Sequence, residues 1–281
     1  MANADRTPLS RPYRTAARYY GARAPYSDEL RTVLATRLGW DGRGRLLDIG
    51  CGPGVIALQL AASFEEVIGL DPEEAMLAEA RNATPTEALP KTRWLRGRAE
   101  ELPSMNLGSL RAVTLGQSFH WMDKYNVAES IYDALEGGGS MLLIHHDSPE
   151  TEPPLVSQNQ SSHPAVPDDA VNNVLIRWLG HGKPPPHPDQ EPYSELLART
   201  RFGRPDRLLL PGRPDVVRSV DEVIDNYLSM SFAAPDLFGS RLADFRAELR
   251  TVLDNHTETG FFRLWPGNTE ILIAVKSVAG Q

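Results

Sequence analysis

Chemistry is most legible in the segment LLDIGCGPG at 46–54. A short apolar run ends at Asp48 and Ile49, and Gly50, Gly52 and Gly54 then let the backbone turn and approach a ligand closely. Asp71 closes the next apolar run, EEVIGLD at 65–71, where a carboxylate can accept both hydroxyls of a ribose. Loop and acid together describe an edge built for a nucleoside. A dinucleotide fingerprint, G-x-G-x-x-G/A, would require Gly or Ala at position 55; that residue is Val55, and the glycines run G-x-G-x-G instead.

A second set of reactive side chains lies further on. His120, within VTLGQSFHWMD at 113–123, could serve as a base for an acceptor that must lose a proton. Phe119 and Trp121 flank it and suit either an aromatic acceptor wall or the core. His145 and His146 end SMLLIHH at 140–146; strand alternation sends them to opposite faces, so one of the two reaches a cleft. The histidines show no H-x-x-x-H spacing, so no metal is expected, with carboxylate ligands left open. A Ser-His-Asp hydrolase would need a G-x-S-x-G elbow, which the chain lacks. The lone Cys51 forbids an internal disulfide framework and, inside the glycine loop, reads as a small loop residue rather than a nucleophile.

The elements that must position these groups follow a βα rhythm. RLLDI at 45–49, EEVIGLD, RWLRG at 93–97, RAVTLGQ at 111–117 and SMLLIHH read as strands. VIALQLAA at 55–62, PEEAMLAEARN and the stretch 124–135 read as the helices between them. Such alternation implies a parallel, doubly wound sheet whose strand ends share one ligand-binding rim. Ten of the 23 prolines then fall between Pro149 and Pro192, so that stretch can be neither one helix nor one central strand. Within it, Asp168 and Asp169 precede AVNNVLIRWLG as a short capped helix. Beyond it, Ser219 and Glu222 stand in capping-box spacing, Leu242, Phe245, Leu249, Val252 and Leu253 keep helical periodicity, and FFRLW and TEILIAVKS read as extended.

With 281 residues the chain suits one large α/β domain with appendages. Its formal net charge of −8 and lack of a basic block argue against a nucleic-acid partner. The only long stretch nearly free of charge, 46–64, is interrupted by Asp48 and glycines, so no membrane span or membrane partner is expected. The first fifteen residues hold no apolar core of signal-peptide length, and a cytoplasmic location is expected.

The glycine loop resembles motif I of class I S-adenosylmethionine-dependent methyltransferases, and further segments match that family in order, over roughly residues 13–147. Asp48, Gly50, Cys51 and Gly52 would form the cofactor loop, Asp71 would hold the ribose beside Pro72, and Met76 would pack near the adenine. Ala99 would offer a backbone N–H to the adenine and Glu100 would accept from its amino group, although Arg98 stands where the family often has Asp. Gln117 and Ser118 would line the amino-acid end of the cofactor. TAARYYGARAPYSDEL resembles the entrance segment of a bacterial type-11 small-molecule subgroup, in which Tyr19, Tyr20 or Tyr26 would close over the sulfonium and Arg23 would pair with the methionyl carboxylate. A looser match to that subgroup covers RWLG and the stretch from SVDEVIDNYLSM onward. The [DN]-P-P-[YFW] tetrapeptide of adenine-modifying and amide methyltransferases is missing, since Gly116–Gln117–Ser118–Phe119 stands in its place.

The expected fold is therefore α/β, a Rossmann-like, seven-stranded, mostly parallel sheet. The expected division is an N-terminal helical lid at 1–39, a cofactor-binding core at 40–147, a proline-rich acceptor cover at 148–204, and C-terminal strands and helices at 205–281 completing the sheet and acceptor pocket. The expected activity is methyl transfer to O, N or an electron-rich carbon, such as that of an indole, of a small molecule in specialised metabolism. S-adenosylhomocysteine would be the product of the cofactor. Tyr26, Phe119 and Trp121 are candidates for acceptor contacts, His120 for a base, and Tyr20, His145 and His146 for lesser catalytic parts. A carboxylate O-methyltransferase is the alternative within this class. A nicotinamide-dependent oxidoreductase and a non-catalytic cofactor-binding protein are the alternatives outside it; monomer or homodimer stays open.

Overall fold

The structure, a computed structural model, describes residues 13–147, 163–184 and 191–278. Five strands run parallel as the apolar segments predict: β1 (Arg45–Ile49), β2 (Glu66–Asp71), β3 (Thr92–Arg96), β4 (Leu110–Gly116) and β5 (Leu135–His146). β6 (Asp206–Leu210) and β9 (Thr269–Val275) complete a seven-stranded sheet of order β3-β2-β1-β4-β5-β9-β6, with β9 antiparallel to both neighbours. β7 (Val217–Ser219) and β8 (Phe261–Arg263) pair separately. FFRLW is thus extended, but its partner is β7 rather than the main sheet.

The helices are α1 (Tyr13–Ala16), α2 (Leu30–Leu38), α3 (Val55–Leu60), α4 (Glu74–Ala83), α5 (Lys124–Ala134), α6 (Asp168–Leu179), α7 (Tyr193–Ala198), α8 (Val220–Leu228) and α9 (Leu242–Asp254). Contacts divide the chain into two units, each drawn from three stretches. The sheet unit takes 25–147, 191–213 and 266–278 of the described residues; the helical unit takes 13–24, 163–184 and 214–265. The sequence division, by contrast, runs in four consecutive segments. Within its proline-rich part, 148–162 and 185–190 lie outside the described residues, as do 1–12 of the N-terminal part.

Strand alternation decides the sheet unit's two cores. Leu47 and Ile49 of β1 join Val113, Leu115, Met141 and Leu143 on one face, while Leu46 joins Val67, Ala112, Leu142 and Ile144 on the other. Burial on both faces is why these strands read as nearly continuous apolar runs. β5 begins five residues before SMLLIHH because Leu135 already pairs with Leu110; a register shift follows, and Gly139 passes where a Cβ would crowd the Glu136 and Leu110 carbonyls.

In the helical unit α8 starts with the predicted capping box: Ser219 Oγ accepts from the Glu222 N–H, and the Glu222 carboxylate accepts from the Ser219 N–H at 2.8 Å. The apolar stripe of α9 buries Phe245, Leu249 and Leu253 against α6 and α8. The helix at 168–179 forms, but Asp168 and Asp169 are not its cap. Pro167 occupies the cap position, and the Asp168 carboxylate accepts the Tyr227 hydroxyl from α8 instead.

Candidate functional site

The strand order reverses between β1 and β4, and ligands of open α/β sheets bind outside the carboxyl ends at such a switch point. The glycine loop leaves β1 there, and Gln117 to Met122 leave β4. Gly50 and Gly54 are required on two counts. Their φ angles are +65° and +81°, and a Cβ on Gly50 would lie 2.5 Å from Ser118 Cβ, while one on Gly54 would enter the Trp94 ring. Ser118 Oγ donates to the Ile49 carbonyl at 2.7 Å, tying the end of β4 to the end of β1.

The loop's own donors decide what it can hold. The Gly50 and Cys51 N–H groups both donate to the Leu70 carbonyl, at 2.7 and 3.1 Å. The Gly52 N–H donates to Asp71 Oδ2 at 2.9 Å, the Gly54 N–H to the Cys51 carbonyl at 2.9 Å, and Pro53 has no N–H. Every N–H from 50 to 54 is therefore committed within the protein. A pyrophosphate needs such groups turned toward it, so the loop suits a nucleoside without phosphates. Asp71 fits that role. Its oxygens accept from the Glu73 and Gly52 N–H groups, and a carboxylate with about four acceptor positions keeps room for two vicinal hydroxyls.

Here the comparisons with known proteins bear on the chain. A family model described as "Methyltransferase domain" matches residues 46–139, the stretch from β1 into β5. Residues 46–139 are thus similar to methyltransferase domains. Similar proteins include one of Saccharomyces cerevisiae named as an S-adenosylmethionine-dependent methyltransferase, 31% identical over 109 residues, 38% of each chain. An uncharacterized methyltransferase of Mycobacterium bovis is 34% identical over 100 residues, 36% of this chain and 39% of its own. The matches thus span about two fifths of these relatives' lengths. A solved structure from Anaeromyxobacter dehalogenans, described as a type II methyltransferase, shares the fold at 20% identity, with a TM-score of 0.50 over 90% of this chain and 96% of its own.

Burial sets the electrostatics of the domain. Asp48 is 1% exposed; loss of water pushes its carboxyl up to about 7, against bonds from Thr114 Oγ1 at 2.8 Å and the Ala57 N–H at 3.2 Å that favour the charge. Burial likewise raises Asp71, opposed by the Glu73 and Gly52 N–H groups. Cys51 is raised well above the usual thiol range by burial, so it stays a protonated thiol at neutral pH.

The remaining sequence candidates fall into four groups. Around the loop, Pro72 is exposed, with its carbonyl accepting from Arg96; Met76 is buried on α4. Ala99 is buried where a short helical turn begins, the Arg98 N–H is taken by Glu101, and Glu100 accepts from the Asp123 N–H at 3.3 Å. Past β4, Gln117 is exposed with a φ of +54°, unusual for a residue with a Cβ, and its N–H donates to the Ile144 carbonyl. His120 and Trp121 are exposed, with ring centroids 4.9 Å apart. Phe119, 2% exposed, packs edge-on against Tyr193 in the core instead of joining them.

At the ends of β4 and β5, Tyr26 stacks on His146 with centroids 4.8 Å apart, and its hydroxyl lies over Gly116. His145 faces the other way, 3.1 Å from Glu270, which also accepts from Arg207. Tyr19, Tyr20 and Arg23 belong to the helical unit. There Arg23 donates to the Tyr20 hydroxyl and to the Ser229 hydroxyl and carbonyl at 2.8–3.0 Å, and the Tyr19 hydroxyl accepts from Arg18. Among the described residues no group of three His, Cys, Asp or Glu side chains could hold a metal ion, and no helix is long and apolar enough to cross a membrane.

Sequence reasoning missed Thr114, which neutralises part of the cost of burying Asp48, and Trp94, whose ring fills the space that Gly54 and Gly69 leave open. It also missed Gln59 and Thr269, which hold the chain at Ser27. Gln59 carried a signal, being the one polar residue in VIALQLAA.

Proposed function

We propose that the protein transfers a methyl group from S-adenosylmethionine to a nucleophilic O, N or electron-rich carbon, for example of an indole, in a small organic molecule of specialised metabolism. The observation that carries this reading is the closed set of loop donors beside Asp71, which favours a phosphate-free nucleoside over a dinucleotide. Bound there, the cofactor supplies a methyl group on a sulfonium, a good leaving group, and remains as S-adenosylhomocysteine. The residues then have to bind, align and exclude water. Asp71 accepts the ribose hydroxyls, Met76 packs beside the base, and Ala99 and Glu100 address its polar edge. Gln117, Ser118 and the glycine loop hold the amino-acid end. Tyr26 is the aromatic group of the sheet unit that favours a positive sulfur. Trp121 offers the acceptor an exposed aromatic face, and His120 takes a proton where the acceptor has one to lose. The net charge of −8 favours a small molecule over a nucleic acid as acceptor, and a cytoplasmic location fits that substrate.

Isothermal titration tests the core of this reading. S-adenosylmethionine and S-adenosylhomocysteine should bind and NADH should not; no binding of either at millimolar concentration refutes it. Asp71→Asn should weaken S-adenosylmethionine by about 10-fold or more, since charge-assisted bonds to the ribose become neutral ones. Once turnover is found in a metabolite panel, His120→Ala should cut kcat sharply for an acceptor that loses a proton and only modestly for a carboxylate.

A further inference from the structure

Tyr26 is held in place by two residues outside every cofactor motif. The Ser27 N–H donates to Thr269 Oγ1 at 2.8 Å, and Gln59 Nε2 donates to the Ser27 carbonyl at 2.7 Å. Ser27 and Thr269 are both buried, so the pair of bonds anchors a backbone that has little water to turn to. Gln59 lies on α3, the helix that leaves the glycine loop. Thr269 opens β9 and stands opposite His146 in the β5–β9 register. The bracket therefore joins Tyr26 to the cofactor loop's helix on one side and to the strand pair carrying its stacking partner on the other. Above Gly116 the fit is close: a Cβ there would collide with Ile56 and come within 3.4 Å of the Tyr26 hydroxyl. Gly116 ends β4, one of the two strands that border the switch point.

We propose that Gln59 and Thr269 are positioning residues for methyl transfer: acting through Ser27, they fix the Tyr26 ring at the switch point, where it faces the positive sulfur of the cofactor. The proposal rests on the methyltransferase reading. Attraction between a cation and an aromatic face needs the charge within about 6 Å of the ring centre. A ring whose neighbour Ser27 is held by one buried and one part-buried bond, and which stacks on an imidazole, is already ordered for such a contact.

Paired titrations with S-adenosylmethionine and S-adenosylhomocysteine test it, because the two differ only by the methyl group and its positive charge. Tyr26→Leu should weaken the first about 3- to 10-fold more than the second. Thr269→Val and Gln59→Met should each move the ratio of the two Kd values in the same direction by at least about 2-fold. Thr269→Ser, which restores the hydroxyl, should return the ratio to the wild-type value. An unaltered ratio in Tyr26→Leu, or in a folded Thr269→Val, overturns the proposal. Should circular dichroism show Thr269→Val to be unfolded, Gln59→Met at its half-buried position decides alone by the same criterion. Wild-type protein that binds neither ligand overturns the methyltransferase reading and this proposal with it.

Discussion

Replacing Asp48 with Asn isolates the buried carboxylate beneath the cofactor loop. In the folded protein the Asp48 carboxyl is raised from an ordinary 3.8 to about 7. Between these values the folded state binds the proton more tightly than the unfolded one, so the contribution of Asp48 to stability is greatest at low pH and is lost as pH rises toward 7. With those two pKa values the loss between pH 5 and pH 8 is about 3 kcal/mol, most of it complete by pH 7. Asn carries no titration. Its Oδ1 can accept from the Ala57 N–H while its Nδ2 donates to the Thr114 hydroxyl, which accepts as well as donates, so both partners are kept. Urea unfolding of both proteins at pH 5, 6, 7 and 8 gives the difference directly, and titrating groups that do not interact with Asp48 cancel in it. The Asn variant should gain on the wild type by about 3 kcal/mol across this range. A difference that stays flat refutes the burial argument, whatever its absolute size.

Gly54→Ala should be destabilising by about 1–3 kcal/mol, because its φ is left-handed and its Cβ would enter the Trp94 ring; a thermal melt checks it, and Trp94→Leu should relieve only part of the loss. Phe119→Ala should cost about 3–5 kcal/mol in urea unfolding, whereas Trp121→Ala, at a residue 46% exposed, should stay within about 0.5 kcal/mol. Equal losses at the two positions would contradict the placement of one ring in the core and the other outside it.

The parallel half of the sheet was legible because it is buried on both faces: Leu46, Leu47, Val67, Ile68, Val113 and Leu142 make runs that only covered strands make. The glycine loop was legible because positive φ and close packing restrict the residue type, and type is what a sequence records. Pairing between distant segments was not legible. Nothing local in FFRLW says that β7 is its partner, and nothing in the aspartates before AVNNVLIRWLG says that a tyrosine of α8 claims one of them. The rings around His120 show the same limit. Phe119 and Trp121 are both aromatic and two residues apart, and only Tyr193, more than seventy residues on, decides which is core. Thr269 and Gln59 act on backbone groups of Ser27, and backbone groups leave no mark on the residue they belong to.

The place of β9 has a consequence for how the chain reaches its fold. It sits between β5 and β6, yet its residues, 269–275, follow both in the chain by more than fifty positions. During synthesis β5 keeps an unpaired edge and β6 has no sheet to join until β9 emerges. Contacts of such sequence separation close late and slowly, and an open strand edge in the interval is a template for a wrong partner. The same late segment brings Thr269, so the aromatic ring at the carboxyl end of β4 takes its final seat only when the sheet is finished.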